Sequence, residues 1–347
     1  MEAILVLEDG CVFEGQSFGA EGEKIGRVVF HTGMVGYQEL MTDPACRGLL
    51  LTMAYPLMGN YGINNQGYES PVAQAEALIV KECSRIYSNW LARESLQDFM
   101  KKNNVVGIEG IDTRALVVHL RDNGEMSGIV STKDFNVENL KEKIKASWCE
   151  EKNLIQEVTS SEPVFWQAPE HISCRVALVD LGAANSLFHN LYKANCQVIR
   201  LPARASAADI LALNPDGIIF SAGPEDLKSL HKIVEKVKNL LGEKPLLGIS
   251  SGNLLLALAL GAKIKQMKCG HRGVNQPVRS LKTGSVAITL QNHCFVIDET
   301  SICRDDIEVS EVNMNDESIE VIRSKNYPAL GVQYIPGDFD AFLKECK

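Results

Sequence analysis

The sequence predicts an α/β protein of two domains, the second of them doubly wound, and three observations carry that prediction. The 347 residues are about twice the usual domain length, so two cores are the default. Strand-like and helix-like segments alternate over residues 176–249, which is the pattern of βαβ units and hence of a parallel sheet with right-handed crossovers. Ahead of them the chain opens with strand and turn signals in a different rhythm. Composition agrees: 45% hydrophobic and 23% charged residues exclude a disordered or collagen-like chain.

Taken in order, residues 4–7 and Cys11-Val12-Phe13 flank Glu8-Asp9-Gly10, two apolar runs around a D-G turn that read as a β-hairpin. The runs at 28–30 and 49–53 read as strands, and Gly59-Asn60-Tyr61-Gly62 as a turn cluster. Residues 73–82 and 91–100 mix apolar and polar positions too loosely to separate helix from strand. A helix is expected from Asp112 or Thr113 through the apolar run at 115–121, because a short acceptor side chain ahead of such a run satisfies its first N–H groups. From 139 to 172 the chain turns polar, with Pro163 and Pro169. That stretch reads as the connection between a first domain at 1–138 and a second at 173–347. The second begins with strands at 176–180, 198–201, 217–220 and 245–249 and helices around 186–194, 209–213 and 227–241. Short strands at 286–290, 307–309 and 319–322 follow. Residues 301–320 carry seven acids against Arg304 and read as the solvated face of a hairpin turning at 313–316.

Several function classes are excluded early. A net charge of −9 has the wrong sign for a chain that binds phosphate backbones, so nucleic acid is not an expected partner. The longest apolar run, 254–260, is far short of the roughly 20 residues of a membrane span, and Met1-Glu2-Ala3 begins without a basic segment. A cytosolic protein without a membrane partner is expected. Ten cysteines without a C-x-x-C pair read as free thiols. No metal is expected, since only Cys269 with His271 and His293 with Cys294 approach ligand spacing.

The chemistry concentrates at 245–261, where a buried strand runs into Gly248-Ile249-Ser250-Ser251-Gly252 and straight on into an apolar helix. This is the form of a nucleophile elbow: the tight turn lifts Ser250 to the carboxyl end of the sheet, and N–H groups at the helix start are placed to form an oxyanion hole. A serine hydroxyl attacks poorly unless a base takes its proton. The histidines are 31, 119, 171, 189, 231, 271 and 293, so none lies in 294–347, where sheets of this type bring a base back to the elbow. His271 and His293 remain as spatial candidates, and a polar structural role suits either as well.

Over nearly its whole length the chain resembles the small subunit of carbamoyl phosphate synthetase, the glutamine-amidotransferase component. In the first domain the resemblance lies in residues 6–10, Gly36-Tyr37-Gln38-Glu39, Thr42-Asp43-Pro44, Gly59-Asn60-Tyr61-Gly62-Ile63-Asn64 and Ile111-Asp112-Thr113-Arg114. In the second it lies in Asn214-Pro215-Asp216-Gly217, Ser221-Ala222-Gly223-Pro224, the elbow, residues 256–263, Gly270-His271-Arg272-Gly273-Val274-Asn275 and Gln291-Asn292-His293. It implies a mixed α/β N-terminal domain of the family's own type and a class I amidotransferase domain with a flavodoxin-like sheet. It also implies glutamine hydrolysis by a Cys, a His base and an orienting Glu, with ammonia sent to a large subunit for carbamoyl phosphate, a pyrimidine and arginine precursor. The large subunit is the implied partner. No cofactor belongs to this chain, because ATP and Mg would sit in that large subunit.

The departures from the family fall on the chemistry. Ser250 stands at the nucleophile, Ile335 at the base and Gly337 at the orienting acid. In the glutamine pocket Leu254 replaces a Gln, Glu225 and Cys294 replace glycines, and Ala45 replaces a Ser, which weighs against glutamine as a ligand. Gly223, Ser251, Asn292 and Phe295 remain of that pocket. A thiol of pKa ~8.5 keeps a few per cent thiolate at neutral pH, a serine without a base essentially none. Loss of nucleophile or base alone costs on the order of 10⁶ in turnover in a well-studied hydrolase. The expectation is a small-subunit homologue unable to hydrolyse glutamine, acting as a structural or regulatory partner. Two alternatives stay open: an active amidotransferase using Cys294 or Cys269 with His293 or His271, and an unrelated serine hydrolase using Ser250.

Overall fold

Alternation along the strands builds both cores. The computed structural model describes residues 1–147 and 153–346 and divides into two units, Met1–Lys152 and Asn153–Lys347. In the strand Glu2–Leu7, Ala3, Leu5 and Leu7 enter one buried cluster while Ile4 and Val6 enter another, so both faces are covered. Among the described residues, seven strands close into a barrel in the order Glu2–Leu7, Val12–Ser17, Val106–Glu109, Ala77–Ile79, Leu49–Met53, Glu23–His31 and Met126–Ser131. Closure leaves no free sheet edge. The opening hairpin forms with Val6 opposite Val12. The helix Thr113–Asn123 starts where expected, with Asp112 Oδ1 accepting from the Ala115 N–H at 2.9 Å. The two ambiguous spans resolve differently: the first holds the barrel strand Ala77–Ile79, the second leads into the helix Leu96–Lys102, capped by Ser95. The helix Val137–Ser147 lies across the expected start of the connection at 139. Its Leu140 and Ile144 pack on Ile4, Val6 and Ile129, a stripe of two residues too thin to stand out from the polar text.

In the second unit the described residues form a ten-stranded sheet, in the order Val164–Phe165, Cys196–Pro202, Cys174–Asp180, Gly217–Phe220, Leu246–Ile249, Ala329–Val332, Ile319–Ser324, Ile307–Asn313, Ile264–Ser280 and Val286–Ile297. From Cys196–Pro202 to Ala329–Val332 all neighbours are parallel. Val176, Leu178 and Leu247 pack with Leu187, Phe188 and Leu191 of the helix Asn185–Lys193 on one face. Ala177, Val179 and Phe220 pack with Leu230, Leu254 and Leu255 on the other. Helices on both faces of a parallel sheet give the doubly wound α/β fold read from the sequence.

One strand is added to the sequence reading and one reading changes. The strand Ile264–Ser280 is not legible in sequence, since Cys269-Gly270-His271-Arg272-Gly273 is polar and glycine-broken; its pairing with Val286–Ile297 carries register breaks there. The acidic hairpin forms between Ile307–Asn313 and Ile319–Ser324, but Glu320 is fully buried rather than solvated. No disulfide joins the cysteines among the described residues, and no helix there is long and apolar enough to cross a membrane. Cys149 and residues 150–152 of the expected connection lie outside the described residues.

Strand and helix cross tightly beside Ser250. A Cβ on Gly252 would lie 2.1 Å from the Phe220 carbonyl oxygen, and one on Gly248 would lie 2.3 Å from that of Gly252. Gly252→Ala is therefore expected to destabilise the chain by roughly 3 kcal/mol, read as a lower denaturant midpoint at unchanged slope. Gly337→Ala, with nothing within 4 Å of its Cβ, is the control and should stay within about 0.5 kcal/mol.

Candidate functional site

One residue, Ser250, joins the strand Leu246–Ile249 to the helix Ser251–Ala259, with φ 51° and ψ −108°. Its N–H donates to the Val332 carbonyl at 2.8 Å and its own carbonyl accepts from the Leu254 N–H at 3.0 Å, so both ends of the turn are tied. A non-glycine residue held there costs about 1–3 kcal/mol. The elbow expected from the sequence is formed, with Ser250 half-buried at its tip. Among the described residues no side-chain hydrogen bond engages the Ser250 hydroxyl.

The positions that the resemblance assigns to base and acid carry no proton acceptor. Ile335 and Gly337 follow the strand Ala329–Val332, which pairs directly with Leu246–Ile249. Ile335 is half-buried; Gly337 is exposed and lines a cavity of about 270 Å³ with Leu247, Glu311 and Phe339. One turn into the elbow helix, Asn253 Nδ2 donates to Gln333 Oε1 at 2.7 Å, while Asn253 Oδ1 is buried without a partner. Leu254 lies in the apolar core.

Of the pocket residues named from the sequence, Gly223, Ser251, Glu225, Asn292, Cys294 and Phe295 are linked by hydrogen bonds within the second unit. Ser251 Oγ donates to the Gly223 carbonyl at 2.7 Å, and Gly223 is pressed so close to the Leu181 carbonyl that a Cβ would lie 2.0 Å from it. Two residues on, Glu225 Oε1 accepts from the backbone N–H groups of Cys294 and, at 3.0 Å, Phe295. Its Oε2 accepts from Arg272 Nη2 at 3.2 Å, and Arg272 Nη1 donates to Asn292 Oδ1. Arg272, which the sequence does not single out, thus holds Glu225 and Asn292 together. Cys294, one candidate nucleophile, is fully buried in the apolar core with Phe295 and Ile297. Cys269 is half-buried on the strand Ile264–Ser280. Ala45 belongs to the first unit, in the turn Pro44–Cys46, its N–H held by Asp43 Oδ1 at 2.9 Å.

The two candidate histidines belong to a buried polar network. His271 Nε2 pairs with Asp316 Oδ2 at 3.1 Å and its Nδ1 with Asn313 at 3.3 Å, with Glu320 Oε1 at 3.7 Å. His293 lies between the Phe295 carbonyl at 3.2 Å and Gln291 Oε1 at 3.1 Å. Burial opposes charge on His271, but Asp316 and Glu320 outweigh it and lift its pKa to about 9. Burial holds the pKa of His293 below the usual imidazole range. Among the described residues, His271, His293 and Glu320 are the one group of three whose ligand-type atoms all lie within 4.8 Å of one another. All four ring nitrogens already face protein partners, which suits an internal network better than a metal seat.

Comparison with known proteins decides the family. The model for the carbamoyl-phosphate synthase small chain, CPSase domain, matches residues 5–130, and that for class-I glutamine amidotransferase matches 177–337. The carbamoyl phosphate synthase small chain of Syntrophotalea carbinolica is 44% identical over 97% of this chain and 93% of its own. This chain belongs to the carbamoyl phosphate synthase small chain family. The small chain of Bacillus cereus is 42% identical over 97% of this chain and 91% of its own. The pyrimidine-specific small chain of Bacillus subtilis is 40% identical over the same shares. Positions 250, 335 and 337 of this chain are Ser, Ile and Gly.

Ser250→Gly should stabilise the chain by roughly 1 kcal/mol, because relief of about 1–3 kcal/mol of strain exceeds the roughly 0.5–1 kcal/mol entropy penalty of glycine; a higher denaturant midpoint checks it. The His271 network sets a pH dependence. With a folded pKa of about 9 against an ordinary 6.5, its pairing contributes stability that is fully present below pH 6.5 and is lost as pH rises through 9. The fall in melting temperature between pH 7 and 9.5 should therefore be steeper in the native chain than in His271→Gln, as read by scanning calorimetry.

Proposed function

We propose that this chain is a cytoplasmic carbamoyl phosphate synthase small subunit that binds the large subunit as a structural or regulatory partner without hydrolysing glutamine, so that the synthetase it serves uses free ammonia. One observation carries the reading: the elbow keeps its strained backbone at φ 51° while the hydroxyl at its tip has no base to activate it. Hydrolysis of glutamine requires a nucleophile to attack the side-chain amide carbon and an acid to protonate the departing ammonia. Ser250 faces neither requirement equipped, since Ile335 and Gly337 neither accept nor donate a side-chain proton. Relatives named as small chains, one of them pyrimidine-specific, support a role in supplying carbamoyl phosphate to pyrimidine synthesis.

The alternatives fare less well. Cys294 is in the apolar core, and both nitrogens of His293 are engaged by Phe295 and Gln291, so that pair is poorly suited to nucleophilic attack. A serine hydrolase would need a histidine on Ser250, and no hydrogen bond among the described residues supplies one. Ammonia release from glutamine by the purified chain, alone and with the large subunit of its source organism, should stay at background, and the two chains should co-purify. A glutaminase rate abolished by Cys294→Ala would overturn the silent-site reading; failure to co-purify would overturn the partner role.

A further inference from the structure

Donors from three of the described residues converge on the carboxylate of Glu225. The N–H groups of Cys294 and Phe295 point at one oxygen and Arg272 at the other. The Arg272 side chain is 2% exposed and that of Glu225 10%. A carboxylate so far from water persists only when paired and hydrogen-bonded, and here both conditions hold. The donors have anchors besides Glu225. Arg272 and Asn292 sit directly opposite one another in the pairing of Ile264–Ser280 with Val286–Ile297, and Arg272 Nη1 is fixed on Asn292. The two N–H groups belong to the backbone of that second strand. The sheet therefore presents a ready seat for a carboxylate, and a loop delivers one to it.

That loop is tied on both sides of Glu225. Gly223 is held by the Ser251 hydroxyl at 2.7 Å. Asp226 caps the helix Leu227–Lys238 through the Ser229 N–H at 3.1 Å and accepts from the Leu154 N–H at 3.1 Å. The side chain between these anchors cannot wander far from the seat. We propose that the strand–arginine seat is a carboxylate-binding site occupied by the chain's own Glu225, an internal ligand that shuts out free carboxylates. Tethering gives the internal group an effective concentration of millimolar or above, so a free carboxylate at millimolar concentration does not displace it. The inference concerns binding and stands whether or not Ser250 is catalytically silent.

The test removes the internal ligand and offers external ones. Glu225→Gly, Glu225→Gln and the native chain are each melted in sodium acetate, sodium formate or sodium L-glutamate against sodium chloride of equal ionic strength. Glu225→Gly should melt below the native chain and regain melting temperature in a saturable way with the carboxylates. The native chain and Glu225→Gln, whose amide still fills the seat and accepts from both N–H groups, should not respond. Carboxylates that raise all three alike, or none, overturn the proposal. If Glu225→Gly is recovered unfolded, its refolding yield in acetate against chloride decides the same question: a higher yield in acetate supports the seat, and equal yields overturn it. Adding Arg272→Met to Glu225→Gly should abolish the response, and an undiminished response in that double variant also overturns the proposal.

Discussion

The second unit is organised around the crossing of one strand and one helix at Ser250. Leu246–Ile249 lies between Gly217–Phe220 and Ala329–Val332 in the sheet, and the helix that follows must turn back across it at once. The crossing leaves no space for a side chain at Gly248 or Gly252, because carbonyl oxygens of the helix and of Phe220 occupy it. Within this tight crossing the chain reverses at Ser250, the residue that links strand to helix and sits at φ 51°. Packing then fixes the rest: Leu254, Leu255 and Leu256 bury in the core on the same side of the sheet as Leu230 and Val237. The tightness of the turn is thus a condition of folding, separate from any reaction at its tip.

That separation means that the scaffold does not require the reaction for its integrity. With Ser250 at the tip and Ile335 and Gly337 beyond the neighbouring strand, the crossing is intact. Two further side chains nearby are well accommodated. Leu254 is apolar in an apolar cluster, and Glu225 brings a charge that is met by Arg272 and two backbone donors. Nearby, His271 and His293 lie with ring centroids 5.3 Å apart and are pushed in opposite directions, one stabilised as a cation by Asp316 and Glu320, the other kept neutral by burial. Two imidazoles so close avoid mutual repulsion because only one is charged near neutral pH.

How much of this the sequence reveals depends on range. The parallel strands are legible because they are buried on both faces and read as unbroken apolar runs, as in residues 176–180. The elbow is legible because glycine, serine and glycine fall between such a run and an apolar helix. The strand Ile264–Ser280 is hidden, since half of it pairs at the sheet margin with polar residues and bulges. The helix Val137–Ser147 is hidden as well, because two buried residues suffice to dock it. At the site, sequence identifies Glu225, Asn292, Cys294 and Phe295 singly. Their union depends on Arg272, 47 residues beyond Glu225, and no local pattern announces that a buried carboxylate and a buried guanidinium will meet.

The retained turn at Ser250 bears on how enzymes are recognised from shape. A search template built from the backbone of hydrolytic elbows, matching φ and ψ at the tip and the strand and helix on either side, would accept this chain among active catalysts. The backbone reports which architecture a chain inherited; what the chain does is settled by its side chains. Where an architecture keeps its own shape for packing reasons, ancestry and activity become separate measurements, and agreement in one carries no weight for the other.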